Sequence, residues 1–554
     1  MRVSKNEYMN DLHLPIGVIS NIFKNREDIK DFKLILKEIE PNKKNEIFND
    51  RLKLQELFLN LNPQVFSSLN FRRILLDSNY ETSGFVKFAE NFGVKKEEIT
   101  QASKKSNIKK VSDFKWGSNR ETSEFIKFFK LDSSLNPNAE IEELEIEEFP
   151  PSQKPYHEMF HYQNKIYYEA LELLRKFNQR FIIQLPTGGG KTKLAMELVC
   201  NQINSEKIKQ ILWIADRKEL CQQATEAFEE VWRHKGKKKI ILNRCWEGYN
   251  FSPKVKGSSL IVASIGKILS LKKNNVEINA DIIIFDEAHH SSAPKYKSAI
   301  LFASKNGTKT IGLTATPGRS FKDEKENEDL ALMFDNELLK IKTSKNQGVI
   351  KYLQKEGVLS IPIRKSPIII PKIKTIFSAN ELKSIEKKTD YSKSDLEKIG
   401  KNHIRNIIII KKLIKIAETG KQILFFGTSV PQSRLMFAAM KHKGFSGAHI
   451  ESATDKNYRF ESIQKFKDKK IQILFNNEVL ATGFDAPSVE VVFIARPTKS
   501  PVLLMQMIGR GMRGKNVGGT ENFDLYYLND GIFNEFQNLD ELFSMWEDYF
   551  DEKG

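Results

Sequence analysis

The stretch Leu185-Pro186-Thr187-Gly188-Gly189-Gly190-Lys191-Thr192 decides how this chain is read. Phe181-Ile182-Ile183-Gln184 before it reads as a short buried strand, and Lys193 to Val199 after it as the start of a helix. A strand, a glycine-rich turn and Lys-Thr at a helix N-terminus make a phosphate-binding loop. Gly188, Gly189 and Gly190 let backbone N–H groups converge where a Cβ would obstruct the approach, and Thr187 before them is expected among the nucleotide-binding residues. The helix N-terminus adds unpaired donors and positive potential. Lys191 is placed to reach β- and γ-phosphates, and the Thr192 hydroxyl to bind Mg²⁺.

Outward from the loop the pattern is α/β. Apolar strands are expected at 210–215, 260–263, 281–285 and 310–313, each ending in polar residues. Such alternation with helices describes a parallel sheet with ligands at its C-terminal edge. The strand Asp281–Phe285 ends in Asp286-Glu287-Ala288-His289-His290. Asp286 is placed to hold Mg²⁺ beside the phosphates and Glu287 to activate the attacking water. After a charged, helix-like stretch at 323–340 the pattern restarts, with strands expected at 421–426, 448–450, 471–475, 489–494 and 525–528. A helix is expected to carry Gln506-Met507-Ile508-Gly509-Arg510-Gly511-Met512-Arg513, which puts Arg510 and Arg513 on one face. Two guanidiniums there suit the charge that spreads over a γ-phosphate in transfer.

Residues 1–138 read as mostly helical. Asn79–Phe88 is echoed by Asn119–Phe128, with Thr82-Ser83 and Thr122-Ser123 expected to cap a helix in each copy. Lys104-Lys105 to Lys109-Lys110 between them reads as a solvated loop or a backbone-binding patch. Residues 139–155, with six glutamates and three prolines, read as a linker, and 536–554 as an acidic C-terminal helix. The body divides into an ATP-binding domain, 156–345, and a second domain of the same kind, 346–535.

The net charge is +17. Residues 150–554 carry 64 Lys+Arg against 46 Asp+Glu, and residues 1–138 carry 24 against 19. A basic nucleotide-binding body suggests a polyanionic partner. No apolar run approaches the roughly 18 residues of a membrane span. Cys200, Cys221 and Cys245 have neither metal-ligand nor disulfide spacing and are expected as reduced thiols of a cytoplasmic protein.

Taken together, PTGGGKT, the DEAHH box, Thr314-Ala315-Thr316-Pro317, Ala481-Thr482-Gly483-Phe484-Asp485-Ala486-Pro487 and QMIGRGMR resemble the superfamily 2 helicases and translocases over about residues 156–535. The variant is similar to the branch of Rad25-like helicases and restriction-enzyme motor subunits. The resemblance implies two RecA-like domains with ATP and Mg²⁺ in the cleft and nucleic acid across both. It implies that Gln163 reads adenine, that His289, Thr314 and Thr316 couple hydrolysis to strand movement, and that Gln506, Arg510 and Arg513 sense the γ-phosphate. It places Arg217, Ser264, Thr428 and Thr482 against the nucleic-acid backbone and Asp485 near the ATP ribose. DNA is favoured over RNA, in a defence or repair setting. An RNA helicase and an ATP-gated recognition subunit without unwinding stay open, as does a protein partner at the N-terminal region.

Overall fold

The computed structural model describes residues 27–40, 57, 61, 66, 68–80, 83–116, 120–129, 156–177, 179–205, 207–246, 249, 257–291, 293–316, 324–343, 347–370, 376–452, 454, 456–477 and 489–529. The expected linker 139–155 and C-terminal helix 536–554 lie outside them.

Strands buried on both faces must be apolar along their length, and parallel pairing then needs a crossover after each. The first domain meets both conditions. Its strands are β1 (Arg180–Gln184), β2 (Gln210–Ala215), β3 (Ile241–Cys245), β4 (Ser259–Ser264), β5 (Ala280–Asp286), β6 (Ser304–Thr314) and β7 (Leu338–Leu339). They form one parallel sheet in the order β3-β4-β2-β5-β6-β1-β7. β3 was not expected, because Asn243 and Arg244 interrupt its apolar pattern at the sheet edge. The stretch 323–340 is a helix only over Glu324–Met333, and its end turns into the two-residue β7.

Register builds the site. Asp286 of β5 stands opposite Leu313 of β6, which stands opposite Ile183 of β1, and Thr314 stands opposite Gln184. Strands lie about 4.8 Å apart, so the β1 and β5 ends are separated by about 10 Å with Thr314 between them. The glycine loop crosses that gap.

The second domain repeats the plan with β8 (Ile361–Arg364), β9 (Ile368–Ile369), β10 (Ile423–Phe426), β11 (Gly447–Ile450), β12 (Ile473–Asn476), β13 (Val491–Ile494) and β14 (Asn522–Asn529). Their order is β11-β12-β10-β13-β14-β8, with β9 also on β14, all parallel. These are the two parallel sheets that the sequence pattern anticipates, arranged as the tandem RecA-like domains that the family resemblance implies. One apolar cluster runs from Phe181 and Leu194 of the first domain through Leu353 and Leu359 of the connecting segment to Met507 and Met512 of the second.

The N-terminal region is helical, over Glu27–Ile39, Leu69–Asn79, Ser83–Glu90, Lys104–Ser112 and Arg120–Phe128. The sequence echo has a structural counterpart. Phe88 of the first copy stacks on Phe128 of the second, ring centroids 4.5 Å apart. The capping expectation fails in the second copy: the helix already starts at Arg120, and Thr122 lies inside it, fully buried. The lysine-rich stretch is a helix rather than a loop, because Ile108 and Val111 face the aromatic core. Arg72 ties this unit together, donating to the carbonyls of Phe66, Ser112 and Phe114 beneath the Phe114 ring.

This unit precedes the first domain in sequence but packs on the second. Phe32, Ile35 and Leu36 share a buried cluster with the helices His403–Ala417 and Val430–His442. Asp31 pairs with His403, Glu38 with Lys411, and Glu40 with His442 and Lys443. Among the described residues no helix is long and apolar enough to cross a membrane. All three cysteines are buried and unbonded, and burial pushes the Cys245 thiol up to about 12.

Candidate functional site

The loop after β1 folds as its glycines require. Gly188 and Gly190 take φ of +88° and +79°, where an L side chain is strained. The Gly189 N–H donates to the Pro186 carbonyl at 2.9 Å. Gly190 caps the helix Lys191–Asn204, and Thr192 sits half-buried at the second position of that helix. Lys191 Nζ donates to the Leu185 carbonyl at 3.0 Å, which folds the ammonium back over the loop. Burial lowers the Lys191 pKa, Glu287 and Asp286 oppose this, and Arg510 and Arg513 add to it. Charges from four elements and both domains therefore act on one point.

Asp286 ends β5 at 7% exposure. Burial holds its carboxyl above the usual range, the Glu287 charge adds to this, and Lys191 works against it. Glu287 has φ +55° and ψ +56°. A non-glycine residue pays about 1 kcal/mol for that conformation, and here it turns the chain from the strand into the short helix Ala288–His290. The turn brings His289 Nδ1 to 3.4 Å from Glu287 Oε2 and 3.3 Å from Thr314 Oγ1. Thr314 Oγ1 donates to the Thr316 carbonyl at 2.8 Å and accepts from the Thr316 N–H at 3.1 Å. Glu287, His289, Thr314 and Thr316 thus form one connected chain.

Gln163 lies under the loop, 2% exposed. Its Nε2 donates to the carbonyls of Gly190 at 3.2 Å and Gly189 at 3.4 Å, and its Oε1 accepts from the Phe160 N–H at 2.8 Å. The Tyr162 hydroxyl also donates to the Gly189 carbonyl, at 2.9 Å. This amide braces the glycine turn, so it reads an adenine only by sharing or exchanging those bonds.

From the second domain, the helix Pro501–Gly509 carries a buried Gln506. It ends before the arginines, so they do not share a helix face. Arg510 is its C-terminal cap, and Arg513 lies beyond, in a segment tied down elsewhere. The Arg513 carbonyl accepts from the Ser360 hydroxyl and the Thr520 N–H, and the Gly514 N–H donates to the Val358 carbonyl at 2.9 Å. Glycines at 509, 511 and 514 stop the helix and let the chain approach the loop. A Cβ on Gly509 would fall 2.6 Å from the Thr187 Cβ, and one on Gly188 would fall 3.0 Å from the Met512 carbonyl. The domains are in contact across the loop.

The expected nucleic-acid contacts divide. Arg217, 46% exposed, stands at the end of β2 with Asp216 Oδ2 3.8 Å from its Nε. Ser264 Oγ accepts from the Lys267 N–H and caps a helix. Thr428 is fully buried, and its hydroxyl donates to the Ala495 carbonyl at 2.9 Å and accepts from Arg405 Nη1 at 2.7 Å. It is a strut between β10 and β13, which corrects the expectation of a surface contact. Thr482 and Asp485 lie outside the described residues. Arg459, which no sequence pattern had marked, lies near enough to Arg217 of the first domain to feel its charge. Burial lowers its pKa and the Arg217 charge adds to the effect. Arg459 Nη2 donates to the Glu451 carbonyl at 2.9 Å.

The chain matches the family described as "Type III restriction enzyme, res subunit" over residues 156–319 and the "Helicase conserved C-terminal domain" over 405–515. It is 26% identical over 364 residues to the candidate ATP-dependent helicase IRC3 of Saccharomyces cerevisiae, covering 64% of this chain and 49% of that protein. The chain therefore spans about half the length of that relative. It is 24% identical over 407 residues to the DNA 3'-5' translocase XPB2 of Sulfurisphaera tokodaii, covering 69% and 85% of the two chains. Among solved structures, S. cerevisiae Dbp5 bound to RNA and ADP BeF3 matches at 17% identity and a TM-score of 0.47, over 70% of this chain and 88% of that one. The chain thus carries two consecutive helicase domain matches on two parallel sheets that meet across a glycine loop, and the relatives it resembles are superfamily 2 helicase-like proteins.

Proposed function

We propose that this chain is an ATP-driven motor on nucleic acid, DNA rather than RNA, that hydrolyses ATP between its two RecA-like domains. The observation that carries the reading is the convergence of Lys191, Asp286 and Glu287 with Arg510 and Arg513 beside the glycine loop.

The residues present fit Mg²⁺ and ATP. The left-handed glycines leave room for phosphate oxygens beside the loop N–H groups. Thr192 and Asp286 offer two hard oxygen ligands, and among the described residues no group of three or more His, Cys, Asp or Glu side chains could hold a metal. Such a sparse set suits a cation that shares its sphere with phosphates and water. When bound, Mg²⁺ supplies charge neutralisation at the β- and γ-phosphates.

The chain's own groups do the rest. Lys191 binds the β- and γ-phosphates. Glu287 takes the proton of the attacking water, and its contact with His289 carries that change to Thr314 and Thr316. Arg510 and Arg513 stabilise the charge that develops on the γ-phosphate, and Gln506 orients the same end of the nucleotide. Gln163 meets adenine, and Asp485 the ribose. Arg217, Ser264 and Thr482 are the contacts to the nucleic-acid backbone.

Likeness to a restriction-enzyme subunit family and to a DNA translocase supports DNA and a place in defence or repair. RNA helicases also match, over 22% of the chain, and keep RNA as the second reading. ATP hydrolysis is measured with single-stranded DNA, duplex, forked DNA and RNA in parallel, for the parent and for Glu287→Gln. The expected result is stimulation by DNA in the parent, and retained ATP binding with lost turnover in the variant. Stimulation by RNA alone overturns the polymer assignment. Turnover without strand separation or movement on any DNA substrate favours an ATP-gated recognition subunit.

A further inference from the structure

Tyr296 lies on the helix Pro294–Ala303, just after the turn that carries Glu287 and His289. Its ring is 3% exposed and packs edge-on against Phe285, with centroids 5.4 Å apart and planes at 86°. Phe285 is the residue before Asp286. The Tyr296 hydroxyl donates to Asp216 Oδ1 at the end of β2. The other oxygen of Asp216 faces Arg217 Nε at 3.8 Å. A side chain that rests on the nucleotide end of β5 therefore holds the carboxylate that faces a half-exposed guanidinium two elements away.

The arrangement is more than packing requires. A phenylalanine would fill the same space against Phe285, whereas the hydroxyl fixes one oxygen of a carboxylate only 29% exposed. Asp216 is then held with its second oxygen towards Arg217. A side chain as long as arginine otherwise samples many rotamers, and ordering it costs entropy at the moment of binding.

We propose that Tyr296 is a positioning residue that couples the nucleotide site to Arg217 through Asp216, so that closure around ATP orders a nucleic-acid contact. The proposal rests on the reading of Arg217 as a backbone contact. Changes at Asp286 and Glu287 shift Phe285 and the start of the Tyr296 helix. The hydroxyl passes that shift to Asp216, and Asp216 sets the direction of the guanidinium. Linkage makes the effect reciprocal, so a strand held by Arg217 favours the nucleotide-bound arrangement. Contiguity by itself does not establish coupling, so the test measures the coupling.

The full chain is compared with Tyr296→Phe and with Asp216→Asn. Binding of a fluorescent single-stranded DNA or RNA oligonucleotide is followed by anisotropy, with and without a non-hydrolysable ATP analogue, and ATPase rates are measured across an oligonucleotide titration. Tyr296→Phe is expected to keep the unstimulated ATPase rate and the KM for ATP. Its half-saturating oligonucleotide concentration should rise about fivefold or more, and the tightening caused by the analogue should shrink to match. Asp216→Asn still accepts the tyrosine hydroxyl but presents no charge to Arg217, and should weaken oligonucleotide binding in the same direction. A loss of packing alone would lower thermal stability and the unstimulated rate together, without a selective change in the oligonucleotide response. If the parent binds the oligonucleotide and both variants match it in affinity and analogue response, the proposal is wrong and the reading of Arg217 stands. If the parent binds neither polymer, the underlying reading fails and takes the proposal with it.

Discussion

The two parallel sheets have the same build but opposite chemistry at their strand ends. In the first, β1 ends in a glycine loop and β5 in Asp286-Glu287, and charged groups stay in reach of a ligand. In the second, β10 ends in Gly427-Thr428-Ser429, and Arg405 closes that end from within, bonded to Thr428 and to the Ala495 carbonyl. One strand end is kept open for phosphate and its counterpart is sealed by a buried guanidinium. The second domain contributes from the segment after a helix instead, where glycines let Arg510 and Arg513 approach the other domain's loop. A shared fold thus leaves open which domain binds the nucleotide, and local backbone chemistry decides it.

Lys191→Ala should break this asymmetry most completely. Removing the loop's cation is expected to lower ATP turnover about a thousandfold, to background in a phosphate-release assay. Near-parental turnover would mean that the open strand end is not the nucleotide site.

Arg510→Ala tests the second domain's part. ATP binding should be retained, while hydrolysis falls by about a hundredfold or more and nucleic acid no longer stimulates it. A variant that keeps full stimulation would show that the domains communicate by a route other than the 509–513 segment.

Thr428→Val sharpens the contrast between sealed and open strand ends. The substitution leaves the Ala495 carbonyl and one Arg405 donor without that partner, at a cost of about 1–3 kcal/mol. The melting temperature should fall by a few degrees with oligonucleotide affinity unchanged, whereas Arg217→Ala should weaken the affinity with little change in melting. The reverse pattern would return Thr428 to the groove.

The smallest effect is expected at the N-terminal unit. Burial disfavours the Glu40 charge, but hydrogen bonds and attraction from Lys443 and His442 outweigh it and hold the carboxyl below its ordinary range. Its contribution is therefore present above the unfolded-state pKa and is lost as pH falls through the depressed folded value. Acidification below the ordinary glutamate range should raise amide exchange in the helix Glu27–Ile39, and Glu40→Gln should abolish that part of the pH dependence. The cost at neutral pH should be about 1 kcal/mol or less.

Much of this was legible in the residues. β2 spans the predicted Gln210–Ala215, and β1 adds a single residue to the predicted strand. Buried parallel strands are short apolar runs that advertise themselves. The strands missed were β3, β7, β8 and β9, which lie at sheet edges or in two-residue pieces with little apolar signal. The Lys191, Asp286 and Glu287 cluster was legible because Lys191 opens the helix after the glycine loop and Asp286 and Glu287 stand at a strand end, positions that local pattern sets. Arg510 and Arg513 were assigned to one helix because their spacing fits a turn, but Gly509 and Gly511 end the helix and tertiary bonds to Ser360 and Val358 place Arg513.

By itself the sequence determined the two α/β repeats, the glycine loop and the acidic strand end, because these follow from residue type and short-range pattern. Four matters were decided only in three dimensions. Thr428 is sealed in because Arg405 arrives from another helix. Arg459 of the second domain feels the Arg217 charge because the two domains meet. Gln163 braces the loop because the helix that begins at His161 lies beneath it. The N-terminal unit sits on the second domain because the apolar face of its amphipathic helix Glu27–Ile39 finds its complementary face there, far along the chain. Each of these depends on a partner distant in sequence, and no local pattern encodes where a distant partner will stand.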